Sequence, residues 1–133
     1  MSDSSAKDSV ERHQIRVRYG ETDQMGVAHH GSHIAWFEEA RTEWLRSRGV
    51  SYRELEQSGV ILPVVALKID YRSTVGYDDL VLIETWVKER GRASITFAYR
   101  AVFEQEARII AEAEITLACV DREGKVQRLP DEV

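Results

Sequence analysis

At Val60 the hydrophobic period of this 133-residue chain changes from 3.6 to 2, and no other feature limits the fold as strongly. Before that point lies one long amphipathic stretch. His33, Trp36, Phe37, Ala40 and Trp44 recur at helical spacing, with Ile34 and Leu45 widening the stripe. Ser32 is the expected N-cap and Gly49 the stop signal, and a second, short helix is expected over residues 51–57, ended by Gly59. After Val60 come alternating runs expected as strands over residues 61–71, 80–88, 93–103 and 109–120. In the third, Ala93, Ile95, Phe97, Tyr99, Ala101 and Phe103 share a face. In the fourth, Ile109, Ala111, Ala113, Ile115, Leu117 and Cys119 do so. Pro63 marks the 61–71 strand as an edge or an irregular entry. An earlier strand is expected from His13 to Tyr19. One long helix with an apolar stripe beside this many antiparallel strands gives an α+β domain, in which a curved sheet of five to six strands buries the helix. Long strands in so small a domain leave long edges, so a homodimer or homotetramer is expected.

The chain is one domain, residues 13–133, after a solvated tail over residues 1–12. Eighteen basic against 23 acidic residues, with no basic run, make the chain a poor candidate for a general nucleic-acid binder, though a local basic patch could still grip one phosphorylated ligand. Cys119 is the only cysteine, so no internal disulfide is possible and a reducing, cytoplasmic setting is expected. No apolar run approaches the ~20 residues that span a bilayer, and the first residues lack the basic and apolar regions of a secretory signal.

The chemistry points to residues 19–41. Asp23 lies in a glycine-containing turn seven residues before His30, and the long helix opens there. A carboxylate facing a helix amino end suits attack on a carbonyl, because unpaired N–H groups and the helix dipole can hold the oxyanion. Asp, Gly and Thr are also ordinary turn residues, so a turn-capping Asp23 stays open on spacing alone. Gly26 supplies positive φ and lets the turn pass close to a ligand. His30 matters chiefly for its main-chain N–H. His29 and His33, one helical turn apart, invite a metal, but no glutamate adjoins the first histidine, and pocket-lining roles are the better expectation. No metal or other cofactor is expected. Lys88, Arg90, Arg92 and Arg100 are expected around one hairpin, and Arg72 ends the preceding strand. Arg72, Arg90 and Arg92 are thus candidate phosphate contacts, with a solvated, salt-bridged surface as the alternative.

These residues resemble the active-site signature of the 4-hydroxybenzoyl-CoA thioesterase family, most closely its YbgC-like acyl-CoA thioesterase branch. Glu21-Thr-Asp23, Gly26-Val27, His29-His30 and Trp36-Phe-Glu-Glu-Ala-Arg41 stand where that pattern has its aspartate triplet, Gly-x-Val, Tyr-His pair and helix segment. Residues 70–79 and 90–100 resemble its later strands. Glu21 replaces the usual first aspartate, His29 a common tyrosine, His33 another aromatic, and Thr74 a frequent proline. The resemblance implies a hotdog fold, active sites at a dimer interface, catalysis at Asp23, and a helix-terminal amide near His30 on the thioester oxygen. It implies hydrolysis of an acyl-CoA or acyl-carrier-protein thioester, short-chain or aromatic. An enoyl-thioester hydratase and a non-catalytic acyl-thioester binder are the alternatives.

Overall fold

A computed structural model describes residues 9–133; most of the expected tail lies outside the described residues. Five strands form one antiparallel sheet: β1 (Glu11–Arg16), β2 (Val64–Tyr71), β3 (Leu80–Arg90), β4 (Ser94–Phe103) and β5 (Arg108–Ala118). Their spatial order is β1-β3-β4-β5-β2, so β1 and β2 are the edges. The long helix α1 (His30–Ser47) packs its buried stripe into the sheet, and α2 (Tyr52–Gln57) follows it. This is the expected α+β arrangement of a helix wrapped by a curved sheet. No described helix is long and apolar enough to cross a membrane.

The stripe read from the sequence is the one that is buried. Phe37, Ala40, Trp44 and Leu45 have no exposed surface, and Trp44 meets Phe97 edge to face at 5.2 Å. Ile34 instead stays exposed, and Arg41 takes part in the buried face. The Arg41 guanidinium donates to the Tyr99 hydroxyl at 3.1 Å. Burial pushes the Tyr99 phenol up to about 12, against the opposing pull of Arg41, so it stays protonated.

Element ends differ where neighbours rather than local pattern decide them. β1 begins at Glu11, inside the expected tail, and stops at Arg16; Tyr19–Glu21 then forms a 3-10 turn. His29, not Ser32, occupies the N-cap of α1, and Ser32 is buried inside the first turn. At the other end Gly49 adopts φ +80°, as its stop role requires. Ile61 joins the sheet only through a bridge to Val120, and the strand proper starts after Pro63. Pro63 does enter an edge strand, as expected.

On β4 the expected face is buried from Ile95 to Phe103, with Ala98 buried on the other face as well, whereas on β5 the alternation breaks. Pairing with β4 shifts register between Ala101 and Val102, so Ile110 turns into the core and Ile109 turns out. The bulge inserts Ile110 as an extra residue and displaces only Ile109 before it; Ala111, Ala113, Ile115, Leu117 and Cys119 keep the expected buried face. Ile110→Ala is therefore expected to cost ~2–5 kcal/mol in a denaturant titration, and Ile109→Ala less than ~1 kcal/mol. Equal costs at the two positions would contradict the observed register.

Candidate functional site

The loop between β1 and α1 is tied to the turn before β3. Val17 N–H donates to the Asp79 carbonyl and Asp78 N–H to that of Val17, while Ala28 N–H donates to the Val75 carbonyl. Val27 bridges Gly76. Two glycines make this approach possible. Gly26 sits at φ +79°, and a Cβ on Gly76 would lie 3.1 Å from the Gly26 carbonyl oxygen.

Asp23 lies in this loop. Its main chain closes a turn with Val27 N-terminal to α1, Asp23 N–H donating to the Val27 carbonyl at 2.9 Å. Its Oδ1 accepts from Met25 N–H at 2.9 Å and, longer, from Val27 N–H at 3.4 Å. The carboxylate therefore does cap a turn, and one oxygen is fixed by doing so. Oδ2 makes no hydrogen bond among the described residues, and the side chain is exposed. Asp23, Gly26, Thr22, Gln24, Tyr19 and Tyr77 line an open depression of about 640 Å³.

Helix α1 begins three residues beyond Val27. His29 N–H donates to the Glu21 carbonyl, whereas the His30 and Gly31 amides have no acceptor among the described residues. This is the unpaired donor set expected at a helix start. Three side chains hold that first turn. Ser32 Oγ donates to the Glu21 carbonyl at 2.9 Å and lies 3.1 Å from His29 Nε2, which as the N–H tautomer donates to it. The Tyr71 hydroxyl donates to the His30 carbonyl at 2.9 Å, and its ring lies 4.4 Å from the His30 ring. The Trp36 indole N–H donates to Glu21 Oε2 at 3.0 Å.

The expected site residues are not all brought together. Asp23 and Gly26 share one depression, and His29 and His30 open the helix that follows it. His33 is buried, its ring 4.7 Å from that of Trp36 and 5.0 Å from that of Tyr71, with Nδ1 3.2 Å from the His29 carbonyl oxygen. Among the described residues, no group of three His, Cys, Asp or Glu side chains is arranged to hold a metal. The arginines do not form one cluster. Arg72 follows β2 at its Tyr71 end and pairs with Glu112 at 3.4 Å. Arg90 ends β3, ten residues and about 33 Å along the strand from Leu80, and Arg92 lies in the connection just beyond it. Cys119 is a buried thiol whose pKa burial raises, as expected of an inert one. Sequence reasoning missed the contact of Tyr71 with His30, that of Ser32 with the Glu21 carbonyl, and the Glu21–Trp36 bond. A buried indole signals the need for an acceptor, but not which carboxylate supplies it.

Two of these groups make stability pH-dependent in the same direction. Burial pushes the Glu21 carboxyl up, but hydrogen bonds from Arg18 N–H, the Trp36 indole and the Arg18 side chain outweigh it and hold it below its ordinary 4.5. Its contribution is complete above 4.5 and is lost as pH falls through the lowered folded value. Burial holds His33 below its ordinary 6.5, so the unfolded chain takes up a proton first and stability declines as pH falls from 6.5. Tm should thus fall in two stages on acidification. Glu21→Gln is expected to flatten the lower stage and leave the upper, as scanning calorimetry from pH 8 to 3 would show; a lower stage unchanged in that variant would remove the assignment.

Comparison with known proteins places the chain. Residues 17–133 match the family model described as the thioesterase-like superfamily. The chain belongs to that superfamily. An acyl-CoA thioester hydrolase, YbgC, from Escherichia coli O6:H1 is 34% identical over 83% of this chain and 81% of its own. The acyl-CoA thioesterase YbgC of Haemophilus influenzae is 36% identical over 80% of this chain and 78% of its own. The crystal structure of a DHNA-CoA thioesterase from Staphylococcus aureus superposes with a TM-score of 0.86 at 32% identity, covering 90% of this chain and 80% of that one. The hotdog fold and YbgC-like membership implied by the residue 19–41 signature are therefore correct, and this thioesterase-superfamily chain is an enzyme of thioester hydrolysis.

Proposed function

We propose that this thioesterase hydrolyses a short-chain or aromatic acyl-CoA, with Asp23 as general base or nucleophile and the His30 main-chain amide as oxyanion donor. The observation that carries this reading is the state of the Asp23 carboxylate. One oxygen is fixed by turn amides and the other is unengaged in an open depression, and the helix that opens seven residues later begins with two unpaired N–H groups. Water, deprotonated by Asp23, adds to the thioester carbonyl; the C–S bond then breaks, the thiolate takes up a proton, and the free acid leaves. Alternatively Asp23 adds first to give a mixed anhydride, which water opens with the same net result. In both routes the charge that develops on the carbonyl oxygen is to be met by the His30 amide, and this is where such sites gain most of their rate. Gly26 keeps the turn close to the bound thioester.

A homodimer joined through β2 completes the reading. β2 pairs on one side only, with β5, and Val64, Val65, Leu67 and Tyr71 are exposed along it. The Val64 end lies beside the 90–94 hairpin, because Val64 pairs Leu117 and Leu117 pairs Ile95; the Tyr71 end lies at the first turn of α1, where the Tyr71 hydroxyl donates to the His30 carbonyl. Antiparallel pairing of two β2 edges sets the 90–94 hairpin of the second copy beside the Asp23 end of the first. Arg90 and Arg92 then serve the phosphates of a ligand held by the other copy, while Arg72 contributes in its own. His29 and His33 shape the helix end between them.

The test is release of free thiol from a panel of acyl-CoAs by the purified chain, with absorbance at the enoyl-thioester band followed in parallel. Thiol release supports the reading. Loss of the enoyl band without thiol release would make the chain a hydratase, and ligand-dependent stabilisation without turnover would make it a binding protein.

A further inference from the structure

Tyr71 is the last residue of β2, and its side chain leaves the sheet for the helix. β5 fixes where it starts. Tyr71 pairs Ala111, and the next two amides, Arg72 N–H and Ser73 N–H, both donate to the Ile110 carbonyl, at 2.8 and 3.1 Å. From that anchor the ring lies against the His30 ring at 4.4 Å, tilted by 31°, and meets the His33 ring edge to face at 5.0 Å. The hydroxyl ends on the His30 carbonyl oxygen at 2.9 Å. Burial pushes the phenol above its ordinary value, so it stays protonated and donates. The His30 carbonyl and the Gly31 N–H are the two ends of one peptide group. That N–H is one of the two amides at the helix start with no acceptor among the described residues. A donor on a carbonyl oxygen draws electron density through the planar, delocalised amide and makes the N–H at its other end a stronger donor.

We propose that Tyr71 is a positioning residue for the thioester chemistry. Its hydroxyl holds and polarises the His30–Gly31 peptide, so that the Gly31 N–H joins the His30 amide on the carbonyl oxygen. This role rests on the thioester carbonyl lying at the helix start, as in the function proposed above. Negative charge on that oxygen grows as the carbonyl carbon becomes tetrahedral, so the bond from Tyr71 matters most in the transition state and little in the bound ester. Loss of the hydroxyl therefore lowers kcat and spares KM. One neutral hydrogen bond corresponds to ~2–12-fold in rate.

Tyr71→Phe removes the hydroxyl and keeps the ring on His30. Tyr52→Phe is the control, because the Tyr52 hydroxyl donates to the Leu62 carbonyl at 3.0 Å, a bond of the same kind outside the site. In steady-state thiol release Tyr71→Phe should lose ~2–12-fold in kcat with KM within about twofold of wild type, and Tyr52→Phe should match wild type in both. The second readout is the infrared stretch of a ¹³C-labelled carbonyl in a bound acyl-CoA analogue whose sulfur is replaced by CH₂, a ketone that hydrolysis cannot cleave. Wild type should lower that frequency relative to the free analogue, and Tyr71→Phe should return part of the shift. An unchanged stretch in Tyr71→Phe, or a rate loss shared by Tyr52→Phe, overturns the positioning role; thiol release by wild type then still upholds the hydrolase. A Tyr71-dependent stretch without thiol release supports the positioning role and removes the hydrolase. Absence of both overturns both.

Discussion

Asp23→Asn is expected to lower kcat for acyl-CoA hydrolysis by ~10²–10⁴-fold while leaving Tm almost unchanged. The substitution separates the two tasks this side chain performs. Asn keeps an Oδ1 acceptor for the Met25 and Val27 amides, so the turn stays capped, but it has neither the charge nor the basicity to activate water or to attack. Asp23→Ala removes the cap as well and should lose a comparable rate together with ~1 kcal/mol of stability. Steady-state thiol release and thermal unfolding of both variants check this. An Asp23→Asn protein that turns over its best acyl-CoA at the wild-type rate would reduce Asp23 to a turn residue.

The largest loss of stability is expected at Trp44. Its side chain has no exposed surface, its ring meets Phe97 edge to face, its indole N–H donates to the Ser9 carbonyl at 3.3 Å, and the Arg48 guanidinium lies 3.7 Å from its ring centroid. Trp44→Ala removes that apolar area and leaves a cavity between helix and sheet, at a cost of ~3–5 kcal/mol. That is a large share of the ~5–15 kcal/mol that holds a domain together. Trp44→Phe keeps most of the contact and gives up the hydrogen bond, for a smaller cost. Urea titration measures both, with Met25→Ala on the exposed loop as a control expected within ~0.5 kcal/mol of wild type. A midpoint shift for Trp44→Ala worth less than ~1 kcal/mol would mean that this packing is not where the stability lies.

Much of the fold was legible because burial on one face imposes a period, and a period survives in one dimension. Phe37, Ala40, Trp44 and Leu45, and the run from Ile95 to Phe103, could be assigned a face before any contact was known. Arg41 could not. It falls on the buried face of α1, and only the Tyr99 hydroxyl across the core shows how its charge is accommodated. The candidate site was legible to a similar depth. The turn at Asp23 and Gly26 and the helix start near His30 follow from local residue types and the signature they form. Ser32 looked like the cap because Ser often is; it is drawn inward by the Glu21 carbonyl, eleven residues earlier in the chain.

By itself the sequence determined the number and kind of elements, the buried stripe of the helix, the open turn around Asp23, and membership of a thioesterase superfamily. Each of these is recorded in residues close together along the chain, the signature itself lying within residues 19–41. The tertiary structure alone decided that Ile110 rather than Ile109 enters the core, that Arg72 stands at one end of the sheet and Arg90 and Arg92 at the other, and that Tyr71 reaches the first turn of α1. Those facts depend on strand register and on contacts between segments far apart in the chain, and a one-residue slip that local propensity hardly registers would reverse them.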